Sequence, residues 1–243
     1  MGKRALVTGS SRGIGRAVAL ALAGEGYEVV VHGASDSPKL RETKAMIEQN
    51  GGVATVEIAD LCDLDATAAL GQRIGDVDVL VLNASVQYKM PWQEITLEDC
   101  QKQLNCNFVS SMLLIQACVP HMKEMKWGRI VTIGSVQEAK PHPDMLVYSA
   151  SKAAQSNMVQ SLSLQLAKNG ITVNNVAPGV IDTDRNVEAL SDAAYAEKVR
   201  ASIPVGFYGE PEDCAHMVKL LCSDAGRYIT GQSIYVDGGK SVQ

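Results

Sequence analysis

The sequence has few aromatic residues and no long apolar run. Phe, Trp and Tyr make up 5% of its 243 residues, and the first apolar stretch, Ala5-Leu6-Val7, is followed at once by polar residues. That stretch is too short for the core of a signal peptide or for a membrane span, which needs about 20 apolar residues. We therefore expect a cytoplasmic protein with no membrane association.

The cysteine and histidine spacing of disulfide frameworks and metal sites is also missing. The six cysteines include no C-x-x-C pair, and the four histidines are far apart in the sequence. A reduced thiol inside an apolar segment behaves as a small hydrophobic side chain. The sequence therefore predicts no metal, and a chain of this length can bury its core without disulfides.

Long runs of like charge and linker-like segments are absent as well. The 22 Lys and Arg residues and 27 Asp and Glu residues give a formal net charge of -5. Because nucleic-acid-binding proteins usually concentrate basic residues on one face, nucleic acid is an unexpected partner. With 46% hydrophobic residues, the composition is typical of a globular protein, and we expect a single domain over residues 1–243.

Short β-rich runs alternate with longer segments of helical period. The predicted strands are residues 4–8, 28–32, 53–58, 78–82, 129–133, 171–176 and 233–236. The predicted helices are residues 13–24, 39–50, 97–125 and 146–169, a further helix beginning near residue 64, and one opened by Pro211. Mostly apolar strands joined by helices indicate an α/β fold, a doubly wound parallel sheet with helices on both faces. The polar and irregular stretch after Pro178-Gly179 predicts a substrate lid over about residues 180–209.

A glycine-rich turn follows the first predicted strand. It reads Thr8-Gly9-Ser10-Ser11-Arg12-Gly13-Ile14-Gly15 and leads into an Ala-rich helix. Glycine permits close approach of a ligand to the backbone, and a helix N-terminus offers N–H groups and a positive dipole end to phosphate. An isolated turn of this kind is usually just a turn, but its position between a first strand and a helix favours a nucleotide site.

Tyr148 and Lys152 are four residues apart, so both side chains lie on one face of the predicted helix. A cation near a phenol favours the phenolate and lowers the pKa of the tyrosine, which suits proton transfer at an alcohol or carbonyl. The alternative is a solvated pair on a helix surface, which the same spacing also produces.

These motifs occur together with Asn83-Ala84 after the fourth strand, Pro178-Gly179, and the sequence Tyr235-Val236-Asp237-Gly238-Gly239. In this order they resemble the short-chain dehydrogenase/reductase family, classical type, over nearly the whole chain. The resemblance implies a Rossmann-like fold, a nicotinamide dinucleotide, a small carbonyl or alcohol substrate, and a homotetramer or homodimer packed through the long helices and the C-terminal segment.

The resemblance assigns four residues to proton transfer: Asn107, Ser135, Tyr148 and Lys152. Tyr148 is expected to be the general acid or base, and Ser135 to bind the substrate oxygen. Lys152 is expected to lower the Tyr148 pKa and hold the nicotinamide ribose, and Asn107 to position a water. Ser135 as a strand-end cap and Asn107 as a hydrogen-bonding group within its own helix remain alternatives.

The resemblance also assigns the cofactor contacts. These residues are Gly9, Ser11, Arg12, Gly13, Ile14, Gly15, Gly33, Ala34, Ser35, Asp60, Leu61, Asn83, Ala84, Tyr148, Lys152, Pro178, Gly179, Ile181 and Thr183. For Asp60, a cap on the helix near residue 64 is an alternative role.

The residues after the second strand favour NADP over NAD. Gly33 stands where NAD-preferring relatives place Asp, Ser35 can donate to a phosphate, and Arg12 matches a basic residue common in NADP-preferring relatives. Asp36 weakens this interpretation, because its carboxylate could reach the ribose. NAD therefore stays possible.

Two positions depart from the family pattern. Ser85 replaces the usual glycine after Asn83-Ala84, which would cause strain if the backbone there needs positive φ. Gly134 replaces a frequent serine, and the loss of a side chain should be tolerated. We expect an NADP-preferring oxidoreductase resembling 3-oxoacyl-thioester reductases or sugar and small-ketone reductases; the alternative is a catalytically inactive nucleotide sensor or scaffold.

Overall fold

The computed structural model describes residues 2–187 and 191–243. The strands are β1 (Arg4–Val7), β2 (Glu28–Gly33), β3 (Val53–Ile58), β4 (Val79–Leu82), β5 (Gly128–Ile133), β6 (Ile171–Pro178) and β7 (Ser233–Val236). The helices are α1 (Gly13–Gly24), α2 (Pro38–Gln49), α3 (Leu64–Ile74), α4 (Leu97–Leu104), α5 (Ser110–Met125), α6 (Leu146–Leu166), α7 (Asp184–Val187), α8 (Ala193–Ala201) and α9 (Pro211–Cys222).

The seven strands form one sheet in the order β3-β2-β1-β4-β5-β6-β7, and every neighbouring pair is parallel. This confirms the predicted Rossmann-like α/β fold. The strand order reverses between β1 and β4, so a crevice lies beyond their carboxyl ends. The glycine-rich turn and Asn83 both lie at that point.

Helices cover both faces of the sheet because successive strand side chains point in opposite directions. In β1, Ala5 and Val7 belong to a core with α1, α2 and α9, whereas Leu6 belongs to a second core with α3, α5 and α6. The central strands are therefore apolar on both sides, as their sequences predict.

The single helix predicted over residues 97–125 is wrong in one respect. A five-residue π-helical turn, Asn105–Val109, separates α4 from α5. The apolar pattern continues through this turn, so the extra residue per turn leaves no signal in the sequence. The π turn contains Asn107.

The prediction of an irregular stretch over residues 180–209 is also wrong in part, because α7 and α8 lie within it. Asp192 caps α8 by accepting hydrogen bonds from the backbone of Ala194 and Tyr195. The two ends of the segment meet where Ile181 pairs with Gly209. Residues 188–190 lie outside the described residues.

No helix within the described part of the chain has the length and apolar character needed to cross a membrane. In the same residues, no three His, Cys, Asp or Glu side chains are grouped as metal ligands.

Candidate active site

The glycine-rich turn is shaped by close backbone approaches. Gly9 and Gly13 have φ values of 64° and 55°, in the left-handed region that favours glycine. A Cβ on Gly15 would lie 2.3 Å from the carbonyl oxygen of Gly9 and 2.5 Å from Asn83 Nδ2. The Arg12 side chain does not cap α1, and the first turn of α1 contains no acidic residue. The N-terminus of α1 therefore fits a phosphate-bearing ligand.

Asn83 and Thr8 fasten this turn to the end of β4. The Asn83 side-chain amide donates to the carbonyls of Thr8 and Gly9 at 2.9 and 3.0 Å. Thr8 Oγ1 accepts hydrogen bonds from the backbone N–H groups of Asn83 and Ala84 at 2.9 and 3.0 Å. These four hydrogen bonds hold the end of β1 against the end of β4.

His32, at the end of β2, holds the same turn from the other side. Its Nδ1 accepts from the backbone N–H of Gly9 at 3.2 Å, and its Nε2 lies 3.1 Å from the carbonyl oxygen of Ala59. An accepting Nδ1 places the ring proton on Nε2, where it donates to Ala59. Burial lowers the pKa of His32 from 6.5 to about 4, because the charged imidazolium would lose its hydration.

The adenosine end of the predicted site contains Gly33, Asp36 and Asp60. Arg41 donates to both carboxylate oxygens of Asp36, at 2.6 and 2.7 Å, and this bond lowers the pKa of Asp36. The Asp36 carboxylate is therefore paired with Arg41 at the protein surface. Asp60 accepts from the backbone N–H of Cys62 at 2.9 Å; the alternative role of capping α3 is wrong, since Asp63 does so.

Lys152 and Tyr148 are both buried, at 1% and 5% exposure, so the alternative of a solvated surface pair is wrong. Lys152 Nζ lies 5.7 Å from the centre of the Tyr148 ring. It donates to the carbonyl of Ile133 at 2.8 Å and to Gln155 Oε1 at 3.0 Å. A buried ammonium group beside a phenol is an arrangement that can support proton exchange at the phenolic oxygen.

Asn107 is buried in the π turn and connects two parts of the site. Its Oδ1 accepts from the Val86 N–H at 2.9 Å, and its Nδ2 donates to the Val86 carbonyl and to Ser151 Oγ at 2.9 and 3.0 Å. Ser151 in turn donates to the carbonyl of Tyr148 at 2.7 Å. The side chain of Asn107 therefore couples the loop after β4 to the helix that carries Tyr148.

Ser135 follows the end of β5. Its Oγ accepts from the backbone N–H of Gln137 at 3.2 Å, so it caps the short 3₁₀ segment Val136–Glu138. Because a hydroxyl both donates and accepts, this cap is compatible with donation of the Ser135 proton to a substrate oxygen. Gln137 Oε1 accepts from Ser149 Oγ at 2.9 Å, which links this segment to the residue after Tyr148.

The remaining predicted contacts lie after β6. Gly179 approaches Asp237 so closely that a Cβ on Gly179 would be 2.7 Å from the Asp237 Cα. Thr183 packs over the glycine-rich turn, where a Cβ on Gly13 would be 3.2 Å from Thr183 Cγ2. Pro178 is the last residue of β6, and Ile181 pairs with Gly209 in an isolated bridge. The fold thus brings the glycine-rich turn and the start of the 180–209 segment together.

Comparison with known proteins fits this geometry. A family model described as enoyl-(acyl carrier protein) reductase matches residues 9–241. The chain is 37% identical to a 3-oxoacyl-[acyl-carrier-protein] reductase of Rickettsia conorii, covering 98% of this chain and 96% of that protein. It belongs to the short-chain dehydrogenase/reductase family.

Two further relatives differ in substrate. A glucose 1-dehydrogenase of Gluconobacter oxydans is 37% identical, over 98% of this chain and 91% of that protein. A solved 3-oxoacyl (acyl-carrier-protein) reductase from Agrobacterium tumefaciens, with NADP bound, has a TM-score of 0.93 and 37% identity, covering 98% of this chain and 93% of that one. This short-chain dehydrogenase/reductase is therefore an NAD(P)-dependent oxidoreductase acting on CH–OH groups.

Ser85, the first departure from the family pattern, carries no left-handed strain. Among the described non-glycine residues, Lys126 alone has a positive φ. The backbone after Asn83-Ala84 therefore accepts a Cβ at Ser85 without the strain that a positive φ would cause.

Gly134, the second departure, is enclosed by other side chains. A Cβ there would lie 2.5 Å from Glu138 Oε2 and 2.6 Å from both polar atoms of the Asn175 amide. Glu138 accepts hydrogen bonds from Asn175 Nδ2 and Ser233 Oγ, so its carboxylate is held beside Gly134. In this dehydrogenase/reductase the carboxylate fills the space that a side chain at residue 134 would need.

Several supporting residues escape analysis of the sequence. Thr8 could have been found from its place in the Thr-Gly motif, and His32 from its position directly after the apolar run Val29-Val30-Val31. Glu138 and Gln155 give no such signal, because their partners Asn175 and Ser111 are distant in the sequence.

The buried His32 predicts that stability falls with acidification. Well above pH 6.5 the imidazole is neutral in both states; between pH 6.5 and about 4 the unfolded state binds a proton that the folded state does not. This group should therefore remove up to about 1.4 kcal/mol of unfolding free energy per pH unit as the pH falls through that range. Urea denaturation at pH 7, 6 and 5 should show a steeper loss for wild type than for His32→Gln. An equal loss of unfolding free energy with falling pH in wild type and His32→Gln would contradict the lowered pKa of His32.

The enclosed Gly134 predicts that the serine frequent in relatives is destabilising here. Gly134→Ser should lower the unfolding free energy by about 1–3 kcal/mol, because the added atoms overlap the Glu138 carboxylate. The matched control is Gly24→Ser, since a Cβ on Gly24 has no neighbour within 4 Å. Equal urea midpoints for the two variants would refute the packing argument.

Proposed function

We propose that this protein is an NADP-preferring reductase or dehydrogenase that interconverts a carbonyl and a secondary alcohol. The observation that carries the proposal is the buried Tyr148–Lys152 pair, held against the end of β5 by the hydrogen bond from Lys152 to Ile133. Ser135 lies two residues beyond that anchor. The Ser135 hydroxyl caps Gln137, whose side chain accepts from Ser149 beside Tyr148, and this link supports a shared role for Ser135 and Tyr148.

A nicotinamide dinucleotide bound along the crevice would supply the hydride chemistry of the proposed reaction. The Tyr148 hydroxyl donates a proton to the carbonyl oxygen during reduction, and its phenolate accepts the alcohol proton during oxidation. Ser135 donates a hydrogen bond to the same oxygen. Lys152 stabilises the phenolate and holds the nicotinamide ribose, while Asn107 supports the proton relay to water.

The cofactor residues proposed from the sequence fit a dinucleotide along the crevice. The N-terminus of α1 would hold its pyrophosphate, and Asn83-Ala84, Pro178-Gly179, Ile181 and Thr183 would line its nicotinamide half. Gly33, Ala34, Ser35, Asp60 and Leu61 would surround the adenosine. NADP preference is supported by Gly33 and Arg12, and by the pairing of Asp36 with Arg41.

The proposed substrates are 3-oxoacyl thioesters, or sugars and small ketones, in line with the names of the relatives. Residues 180–209 would act as a lid over them. We further propose a cytoplasmic homotetramer or homodimer packed through the long helices, of which α6 exposes Leu146 and Leu164 to 53% and 84%.

Replacement of the proposed proton donor should separate catalysis from binding. Tyr148→Phe is expected to lower kcat by about 10²- to 10⁴-fold, because the phenyl ring has no exchangeable proton. Binding of NADPH, measured by fluorescence titration, should change little. Oxidation of NADPH against a panel of acyl thioesters, sugars and ketones provides the readout.

Tyr27→Phe is the matched control, since Tyr27 donates to the carbonyl of Cys222 away from the crevice. If Tyr148→Phe turns over a substrate as fast as wild type does, the proposed mechanism is refuted. NADPH binding without turnover of any substrate would instead favour the sensor or scaffold, for which Ser85 no longer argues.

The residue at the end of β2 should decide cofactor preference. Gly33→Asp is expected to raise the KM for NADPH at least about tenfold relative to NADH, because a carboxylate repels the 2′-phosphate and accepts from a 2′-hydroxyl. Gly33→Ala controls for steric effects, since a Cβ there would lie 3.1 Å from Leu40 Cδ2. Equal changes for NADPH and NADH in Gly33→Asp would contradict NADP preference at this position.

A further inference from the structure

Two cationic side chains, from the glycine-rich turn and from the start of α2, share one carboxylate. Arg12 Nη1 lies 3.3 Å from Asp184 Oδ2, and Lys39 Nζ forms an ion pair with the same oxygen. The three residues come from three different elements: the glycine-rich turn, α2 and α7. Two cations converging on a single oxygen form an anion pocket, here filled by a side chain of the protein.

Lys39 does not stabilise the helix in which it lies. Lys39 lies in the first turn of α2, where the helix dipole favours acidic residues over basic ones, and that turn contains no acid. Ser37 already caps α2 by accepting from Leu40 N–H. A cation placed against the dipole is better explained by an anion that it binds.

The pocket is accessible to an incoming ligand. The Arg12, Lys39 and Asp184 side chains are exposed to 60%, 53% and 47%. Ion pairs exposed to this degree are worth at most about 1 kcal/mol, so a dianionic phosphate can displace the carboxylate. The ion pair with Lys39, followed by that with Arg12, lowers the pKa of Asp184, which therefore stays charged at neutral pH.

Asp184 also follows Thr183, which packs over Gly13 of the nucleotide turn. The start of the 180–209 segment is thus fastened to the cofactor site at two adjacent residues. A ligand that displaces the Asp184 carboxylate from Arg12 and Lys39 therefore removes one of these two contacts and leaves the contact between Thr183 and Gly13.

We infer that Lys39 joins Arg12, which the proposed function already places at the 2′-phosphate of NADP, and that Asp184 is a specificity-determining residue that competes with this phosphate for the two cations. The inference rests on the proposed NADP-linked function and extends it to Lys39 and Asp184. Asp184 weakens NADPH binding, leaves NADH binding unaffected, and couples the occupant of the anion pocket to the start of the lid.

The test is a set of binding titrations with purified full-length protein. Asp184→Asn should tighten NADPH binding roughly two- to fivefold and leave the Kd for NADH unchanged, because NADH has no phosphate to compete. Lys39→Gln should weaken NADPH binding by a similar factor. In the Lys39→Gln background, Asp184→Asn should tighten NADPH binding less than it does in wild type, since Asp184 and Lys39 interact directly.

Fragments of the cofactor separate the phosphate from the rest. Adenosine 2′,5′-bisphosphate should gain affinity from Asp184→Asn, whereas AMP should not. Added salt should reduce the difference between the variants. Glu197→Gln is the matched control: it also removes one negative charge from the segment, but Glu197 pairs with Arg200 in α8 and should leave both Kd values unchanged.

The outcomes distinguish the two proposals. If wild type binds neither NADPH nor NADH, the proposed function itself fails. If wild type binds both and Asp184→Asn changes their Kd values equally or not at all, the competition inferred here is refuted while the proposed function stands. A Glu197→Gln effect equal to that of Asp184→Asn would show a general charge effect and would also refute it.

Discussion

The candidate site depends on one buried lysine. Lys152 is 1% exposed, and its amino group is costly to bury unless hydrogen bonds replace its water. The carbonyl of Ile133 and the amide oxygen of Gln155 supply these bonds, and they fix α6 against the end of β5. Tyr148, one helical turn earlier, and Ser135, two residues after Ile133, inherit their positions from this contact. The proposed proton-transfer geometry is therefore a consequence of how one buried amino group is hydrogen-bonded.

A second set of contacts fixes the cofactor side of the crevice. Thr8, Asn83 and His32 hold the glycine-rich turn from β4 and from β2. These bonds use backbone groups of Thr8 and Gly9, which precede the start of α1 at Gly13. Asn107 extends the same network to α6 through Val86 and Ser151. The two halves of the site are thus joined through hydrogen bonds at the strand ends.

The fold could be predicted because its signals are local. Apolar strands alternate with segments whose apolar residues recur with the helical period of 3.6 residues. The predicted bounds of α1, β3 and β7 agree with the structure. The π turn around Asn107 could not be predicted, since one extra residue in a turn leaves the apolar pattern intact. The helix α8 was also missed, because no residue of it is buried and it therefore lacks an apolar face of helical period.

The sequence by itself determined the family resemblance, the parallel sheet and the candidate residues of the site, because glycine spacing, strand periodicity and the Tyr148–Lys152 interval are properties of short segments. The tertiary structure alone decided which of these residues meet. Glu138 beside Gly134 and Asp184 between Arg12 and Lys39 are contacts between residues distant in the sequence. Such contacts depend on how strand ends and loops converge in space, and no local pattern of residues records that convergence.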